Sequence, residues 1–170
     1  MRILDAISKG IKTITDELQK PDSFRKGEQF EEYFRKYVFP QDRYKLIHKT
    51  HTYQANKEDF AESSLLPDYK FKCLETGQEF YVEVKFREGV YHQNKIEWCK
   101  PFQLKRYREI DRKGNPVFLA LGLGDDPRSP EEVFIIPVAK TEYCALYDSF
   151  LDKYKFHLQK PVFASYLWKL

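Results

Sequence analysis

The sequence lacks the features that mark membrane proteins and disulfide-stabilised secreted proteins. None of its apolar runs approaches the ~20 residues that a membrane-spanning helix needs, and residues 1–20 are amphipathic rather than continuously apolar like a signal peptide. Cysteine occurs at three positions only, 73, 99 and 144, with no CxxC pair and in odd number. We therefore expect a protein of the reducing cytoplasm, without a membrane partner.

The sequence also lacks a strong excess of charge of one sign. Its 170 residues carry 29 Lys and Arg against 26 Asp and Glu, which gives a formal net charge of +3. This balance permits nucleic-acid binding without indicating it, so a partner has to be inferred from where the charges lie. With 42% hydrophobic and 16% aromatic residues, the chain has the length for one domain with a core but hardly for two.

Period-two alternation of apolar and polar residues predicts a β-hairpin in the middle of the chain. Apolar residues and lysines alternate over 69–73, and Phe or Val alternates with polar residues over 80–87. A two-residue turn at Thr76 and Gly77 would join the two strands, because Gly supplies the positive φ that such turns need. One face of this hairpin would then pack in the core, and the other would be polar.

The predicted pairing brings two carboxylates and a lysine together on the polar face. With that turn, Lys85 would lie opposite Asp68, and Glu83 opposite Lys70. Opposed Cβ atoms are roughly 5 Å apart and diagonal ones about 7–8 Å apart, so Asp68 and Glu83 could reach a common ion beside Lys85. Mg²⁺ and Mn²⁺ prefer carboxylate, water and phosphate oxygens, which indicates metal-assisted phosphodiester hydrolysis. The alternative is an ordinary polar outer face.

Apolar residues at helical spacing predict helices on both sides of the hairpin. An amphipathic helix over 1–20 would pack on the domain or against a second copy of the chain, which leaves a homodimer open. A second helix is expected over 23–38 with Ser23 as N-cap. A third, over 101–114, has Pro in its first turn and Gly at its end. Aromatic residues repeating over 143–154 predict a last amphipathic helix.

Two of these helices carry candidate site residues. Glu31 lies at the edge of the core stripe of the second helix, where its side chain would face either a sheet edge or water. Gln103 and Tyr107 are four residues apart and therefore share a face of the third helix. Further apolar runs predict strands over 44–48, 117–121 and 133–138.

In the order of four motifs, the chain resembles the PD-(D/E)xK nuclease superfamily. The motifs are GEQFE at 27–31, Pro67-Asp68, Glu83-Val84-Lys85 and QLKRY at 103–107. The last one resembles the QxxxY element of the branch that includes archaeal-type Holliday junction resolvases and recombination exonucleases. The resemblance implies an α/β, restriction-endonuclease-like core, in which helices flank a central mixed β-sheet.

The resemblance covers residues 23–138 of what we expect to be a single domain over 1–170. An extra N-terminal helical extension (1–22) would precede this core, and a C-terminal helix and tail (139–170) would follow it. The implied site residues are those of the four motifs: Glu31, Asp68 and Glu83 as ligands of Mg²⁺ (or Mn²⁺), Lys85 for the attacking water, Gln103 assisting, and Tyr107 supporting. Nearby basic residues are candidates for phosphate contacts: Lys70, Lys72, Arg87, Lys105 and Arg106.

These observations together predict a Mg²⁺-dependent deoxyribonuclease that hydrolyses phosphodiester bonds of DNA, with endonuclease activity favoured over exonuclease activity. The alternative is a non-catalytic nucleic-acid-binding module on the same fold, whose binding would be indifferent to Mg²⁺ and to loss of Lys85. A third hypothesis, a partner-binding domain, would show no salt-dependent affinity for nucleic acid.

Overall fold

The computed structural model describes residues 22–50, 65–89 and 93–170. The helix predicted over 1–20 lies outside these ranges. None of the described helices is long and apolar enough to cross a membrane.

The described chain forms a mixed β-sheet with α-helices on its two faces. The strands are β1 (Tyr44–Lys49), β2 (Tyr69–Cys73), β3 (Glu79–Arg87), β4 (Lys95–Glu97), β5 (Val117–Leu123), β6 (Glu132–Pro137), β7 (Ala145–Tyr147) and β8 (Lys155–Phe156). The α-helices are α1 (Asp22–Tyr33), α2 (Pro101–Arg112), α3 (Asp148–Leu151) and α4 (Ala164–Leu167).

Six of these strands form one sheet in the order β1-β2-β3-β5-β6-β8. The central pair, β3 and β5, is parallel, and the other pairs are antiparallel. A parallel pair needs a crossover connection, which here contains β4 and α2. All seven residues of β5 are buried, as expected for a strand covered on both faces. The predicted mixed sheet flanked by helices is therefore confirmed.

Helix α1 covers one face of the sheet and follows the sequence prediction closely. Its apolar stripe continues into a π-helical turn over Phe34–Val38, and Phe30 is fully buried against the sheet. A Cβ atom at Gly122 of β5 would lie 2.3 Å from the Phe30 ring, so a residue without a side chain lets the helix approach. Ser23 is helical and does not precede the helix as an N-cap.

The opposite face of the sheet is covered by α2 and by the two-stranded ribbon of β4 and β7. Its buried cluster contains Trp98, Tyr107, Leu119, Phe134 and Leu146. The polar face of the hairpin therefore does not point to solvent, because α2 packs against it. Carboxylates that the sequence places on a polar face lie partly inside the protein.

The register predicted for the hairpin is wrong by two residues. Tyr69 pairs with Val82 and Lys70 with Tyr81, so Glu83, rather than Lys85, continues the ladder opposite Asp68. The loop between the hydrogen-bonded residues Cys73 and Gln78 has four residues (74–77) instead of two: Cys73 N–H donates to the Gln78 carbonyl, and the Cys73 carbonyl accepts from Gly77 N, each at 2.8 Å. A shift of two residues leaves every side chain on its predicted face.

The helix predicted over 143–154 is also wrong, as is the C-terminal helix assigned to 139–170. This segment forms β7, the single-turn helix α3 and a 3₁₀ turn, and α4 adds one further turn. Tyr143 and Tyr147 are exposed, whereas Leu146 and Leu151 are buried. The physical reason is strand pairing, because the backbone of β7 forms an antiparallel ladder with β4.

Candidate active site

Two carboxylates meet where the β2–β3 ladder ends. Asp68 directly precedes β2, and its backbone N–H donates a hydrogen bond to Glu83 Oε2 at 3.2 Å. In return, the backbone N–H of Val84 donates to Asp68 Oδ2 at 2.8 Å. Each carboxylate is thus held by a main-chain donor of the facing strand, so the ladder itself fixes the distance between them.

Lys85 completes this group from the same strand as Glu83. Side chains two residues apart in a strand point to one face, and Lys85 Nζ lies 2.6 Å from Glu83 Oε1. The Glu83 side chain is only 2% exposed, and that of Lys85 is 23% exposed. Burial lowers the pKa of Lys85, but the Glu83 and Asp68 carboxylates outweigh it and raise that pKa above its ordinary value. Lys85 is therefore an ammonium ion at neutral pH.

The surroundings of Asp68 favour the protonated form of its carboxyl group. Burial, and next the Glu83 carboxylate, raise the pKa of Asp68 to about 8, against the opposing effects of Lys85 and the Val84 N–H. A second cation beside the two carboxylates would remove the need for this proton. Hard oxygen ligands in this arrangement fit Mg²⁺ or Mn²⁺, which complete their coordination with water and phosphate oxygens.

Tyr107, which belongs to α2, lies against Glu83. Its ring is buried and stacks on Trp98, with centroids 6.4 Å apart. Burial, and next the Glu83 carboxylate, raise the pKa of Tyr107, so its hydroxyl remains protonated and hydrogen-bonds to that carboxylate. The tyrosine of the QxxxY element therefore lies where it can orient Glu83.

Gln103 lines a pocket of about 400 Å³ together with Lys85, Arg87 and Lys100. Its Oε1 accepts a hydrogen bond from the backbone N–H of Lys100 at 2.9 Å, which satisfies one of the free donors at the start of α2. Gln103 is thus near the lysine, as predicted, but its carbonyl oxygen belongs to the helix cap. Its assistance in catalysis remains a prediction.

Glu31 has different partners from the other two carboxylates. Its Oε2 accepts a hydrogen bond from the Tyr69 hydroxyl at 2.6 Å and lies 2.8 Å from Lys49 Nζ. The Glu31 charge also raises the pKa of Asp68, but its effect is the smallest of those that do so. Within the described ranges, no three Asp, Glu, His or Cys side chains form a group that could hold a metal ion. A metal-binding role for Glu31 stays a prediction.

No pattern in the sequence predicts the residues that bind Glu31. Tyr69 has the alternation of a core residue and is buried, yet its hydroxyl reaches α1. Lys49 lies at the end of β1, an element far from Glu31 in sequence. Both contacts are tertiary, so neither spacing nor periodicity could have predicted them.

The predicted phosphate-contacting residues fall into two groups. Lys70 pairs with Glu79 at 2.7 Å, and Arg87 donates hydrogen bonds to the backbone carbonyls of Glu97 and Phe86 at 2.9 and 2.8 Å. These two side chains therefore have structural partners. The others reach the surface to different extents: Lys72 and Lys105 are exposed, and Arg106 is half-buried.

A mixed sheet covered by helices, with an acidic pair and a lysine at the end of its central hairpin, defines a restriction-endonuclease-like domain. No protein-family model matches the sequence, and the comparison with curated proteins also gives no match. Among solved structures, the chain is similar to Hjc of Archaeoglobus fulgidus, a Holliday junction resolvase. The two are 15% identical, the similarity covers 67% of this chain and 83% of the resolvase, and the TM-score is 0.46.

Proposed function

We propose that the protein is a metal-dependent nuclease that hydrolyses phosphodiester bonds of DNA at the group formed by Asp68, Glu83 and Lys85. The observation that carries this proposal is the hydrogen bond from the Asp68 backbone N–H to Glu83 Oε2 at 3.2 Å, with Lys85 Nζ 2.6 Å from the same glutamate. An acidic pair of one buried and one partly buried carboxylate next to a charged lysine costs folding free energy. Such groups are typical of sites whose function needs the charges.

The two carboxylates would hold the cation, and the lysine would act on the substrate. When bound, Mg²⁺ or Mn²⁺ would acidify water and neutralise charge that develops on the phosphate. Asp68 and Glu83 would fix the position of the cation, because the Val84 N–H holds the Asp68 carboxylate and the Asp68 N–H holds the Glu83 carboxylate. Lys85 is an ammonium, so it would donate a hydrogen bond to a phosphate oxygen or to the attacking water and would not accept a proton.

The finer parts of the proposal rest on the motif resemblance. They are DNA rather than RNA as substrate, endonuclease rather than exonuclease activity, and the cytoplasm as location. A homodimer would offer two such sites, as a four-way junction with two symmetric strands requires. Tyr107 would keep Glu83 oriented through its hydroxyl, and Glu31 would support Asp68 from the α1 side.

One observation favours the alternative, a nucleic-acid-binding module that does not cleave. Glu31 is engaged by Tyr69 and Lys49 instead of joining the acidic pair. If no third ligand is needed, because water and phosphate oxygens complete the coordination, the nuclease proposal stands. If Glu31 has to reach the ion, α1 or the Glu31 side chain must move when DNA binds.

The experiment that separates the two is cleavage of a panel of labelled substrates by the wild type and by Lys85→Ala. The panel contains duplex, single-stranded, flap and four-way-junction DNA and an RNA, each with Mg²⁺, with Mn²⁺ and with EDTA. We expect cleavage that needs the metal and is lost in Lys85→Ala. Binding that ignores both the metal and the substitution, with no cleavage of any substrate, would establish the binding module instead.

A further inference from the structure

A groove runs along α2 beside the pocket that contains Lys85. Three cations of α2, Lys105, Arg108 and Arg112, line it together with Glu142 and Tyr143 from the segment before β7. The cations are three and four residues apart, so they share one face of the helix. Within the described part of the chain, none of the three forms an ion pair, whereas Lys70, Lys100 and Arg128 on other surfaces each do.

Two aromatic rings lie uncovered next to the same groove. Tyr143 is 67% exposed and Phe102 is 63% exposed, more than any other large hydrophobic side chain that the structure describes. The backbone at Tyr143 is nevertheless anchored, because its carbonyl accepts a hydrogen bond from Trp98 Nε1 at 3.2 Å. Phe102 stands in the first turn of α2, directly before Gln103. Trp98 and Gln103 both line the Lys85 pocket, so the backbone of Tyr143 is bonded to one residue of that pocket, and Phe102 is next in sequence to another.

We propose that this groove binds an unpaired segment of DNA that continues from the phosphate cleaved at Lys85. Lys105, Arg108 and Arg112 would neutralise its phosphates, and Tyr143 and Phe102 would stack on its bases. Exposed aromatic rings beside cations suit single strands because every unpaired base offers a free face, whereas bases inside a duplex are already stacked. The inference rests on the proposed nuclease and specifies its substrate class: DNA with a single-stranded portion at the cleaved bond, preferred over blunt duplex.

The test is the binding of the full chain to labelled oligothymidylate and to a blunt duplex, by fluorescence anisotropy in EDTA, where no metal-dependent cleavage occurs. Tyr143→Ala should weaken binding of oligothymidylate roughly tenfold, the effect typical of losing one stacked base, and change the duplex affinity less than about twofold. Tyr143→Phe should keep the wild-type affinity, because the ring remains. Equal losses on both ligands, or no loss on either, would overturn the proposal.

A second pair of variants separates stacking from general surface effects. Phe163 is also exposed, at 49%, but lies outside the groove, with the Arg43 guanidinium 4.4 Å from its ring centroid. Phe163→Ala should bind oligothymidylate like the wild type, whereas Phe102→Ala should bind it more weakly. Arg108→Gln should reduce the slope of log Kd against log salt by about 1, as expected for one lost phosphate contact. An unchanged slope would contradict the assignment of Arg108.

The groove proposal and the nuclease proposal can each be contradicted without the other. Selective loss of single-strand binding in Tyr143→Ala supports the groove even if the substrate panel shows no cleavage. Metal-dependent cleavage that prefers blunt duplex, with Tyr143→Ala indistinguishable from the wild type, would keep the nuclease and remove the groove.

Discussion

The carboxylates of Asp68 and Glu83 are held in a different way from the carboxylate of Glu31 on α1. Main-chain N–H groups hold Asp68 and Glu83 across the β2–β3 ladder, while the side chains of Tyr69 and Lys49 hold Glu31 on α1. A ladder fixes a distance as part of the fold, whereas side chains keep rotamer freedom. The acidic pair is thus pre-organised, as the proposed cation site requires, and we expect Glu31 to exchange partners when a substrate binds.

The largest effect expected from this difference concerns the acidic pair. Asp68→Asn and Glu83→Gln should each lower the cleavage rate by roughly 10³-fold or more, because each removes a charge that would hold the metal ion. The measurement is the single-turnover rate on the best substrate of the panel. The matched control is Asp126→Asn, a surface carboxylate paired with Arg128, which should cleave normally. Cleavage near the wild-type rate in either pair variant would remove the proposed site.

The next effect concerns the lysine that Glu83 holds. Lys85→Ala should reduce turnover by roughly 10²–10³-fold, the typical cost of losing one positioned donor to a developing charge. Affinity for Mn²⁺ should be kept, since the carboxylates remain. Lys155→Ala on β8, which removes another paired lysine, is the control. Full turnover of Lys85→Ala would show that the lysine has no chemical role.

A smaller effect is expected on the α1 side. Glu31→Gln and Tyr69→Phe should each slow cleavage about tenfold, in the range typical of residues that support metal ligands without binding the ion. Glu32→Gln, the neighbouring exposed glutamate of α1, should have no effect. If Glu31→Gln is as damaging as Asp68→Asn, Glu31 reaches the ion in the DNA complex, and the contrast between the two sides disappears.

The smallest effect concerns the stability of the metal-free protein. The folded state raises the pKa of Asp68 to about 8, whereas the unfolded chain has the ordinary value near 4. The folded protein therefore binds this proton more tightly, and the stability it contributes at low pH is lost as pH rises from about 4 to 8.

Asp68→Asn should consequently be more stable than the wild type at pH 8, by at least about 1.4 kcal/mol, the value of one pKa unit, and the gain should shrink towards pH 5. Urea unfolding in EDTA measures it. Asp126, whose pKa is lowered chiefly by the backbone N–H of Arg128, should show the opposite sign, with Asp126→Asn less stable at pH 8. A stability difference between Asp68→Asn and the wild type that does not change with pH would contradict the raised pKa of Asp68.

The hairpin shows why local patterns in this sequence were informative. Its strands and faces follow from period-two alternation, and the four-residue connection displaced the register by an even number, so Asp68, Glu83 and Lys85 kept a common face. Loop length could not be predicted, because Gly77 has a positive φ of 73° that suits several turn lengths.

The region after β6 shows where such patterns fail. Four aromatic residues at helical spacing suggested a buried stripe over 143–154, but two of them are exposed and the backbone pairs with β4. Pairing between segments distant in the chain overrides local periodicity. For the same reason the partners of Glu31, and the position of Tyr107 against Glu83, required the folded structure.

Calorimetric titration of Mn²⁺ into the wild type, Asp68→Asn and Glu31→Gln shows which carboxylates hold the cation, and it needs no substrate. We expect saturable binding to the wild type, its loss in Asp68→Asn, and binding within about tenfold of the wild type in Glu31→Gln, the range for a supporting residue. Undiminished Mn²⁺ binding by Asp68→Asn would contradict the account, because the cation would then be held by other residues than the acidic pair.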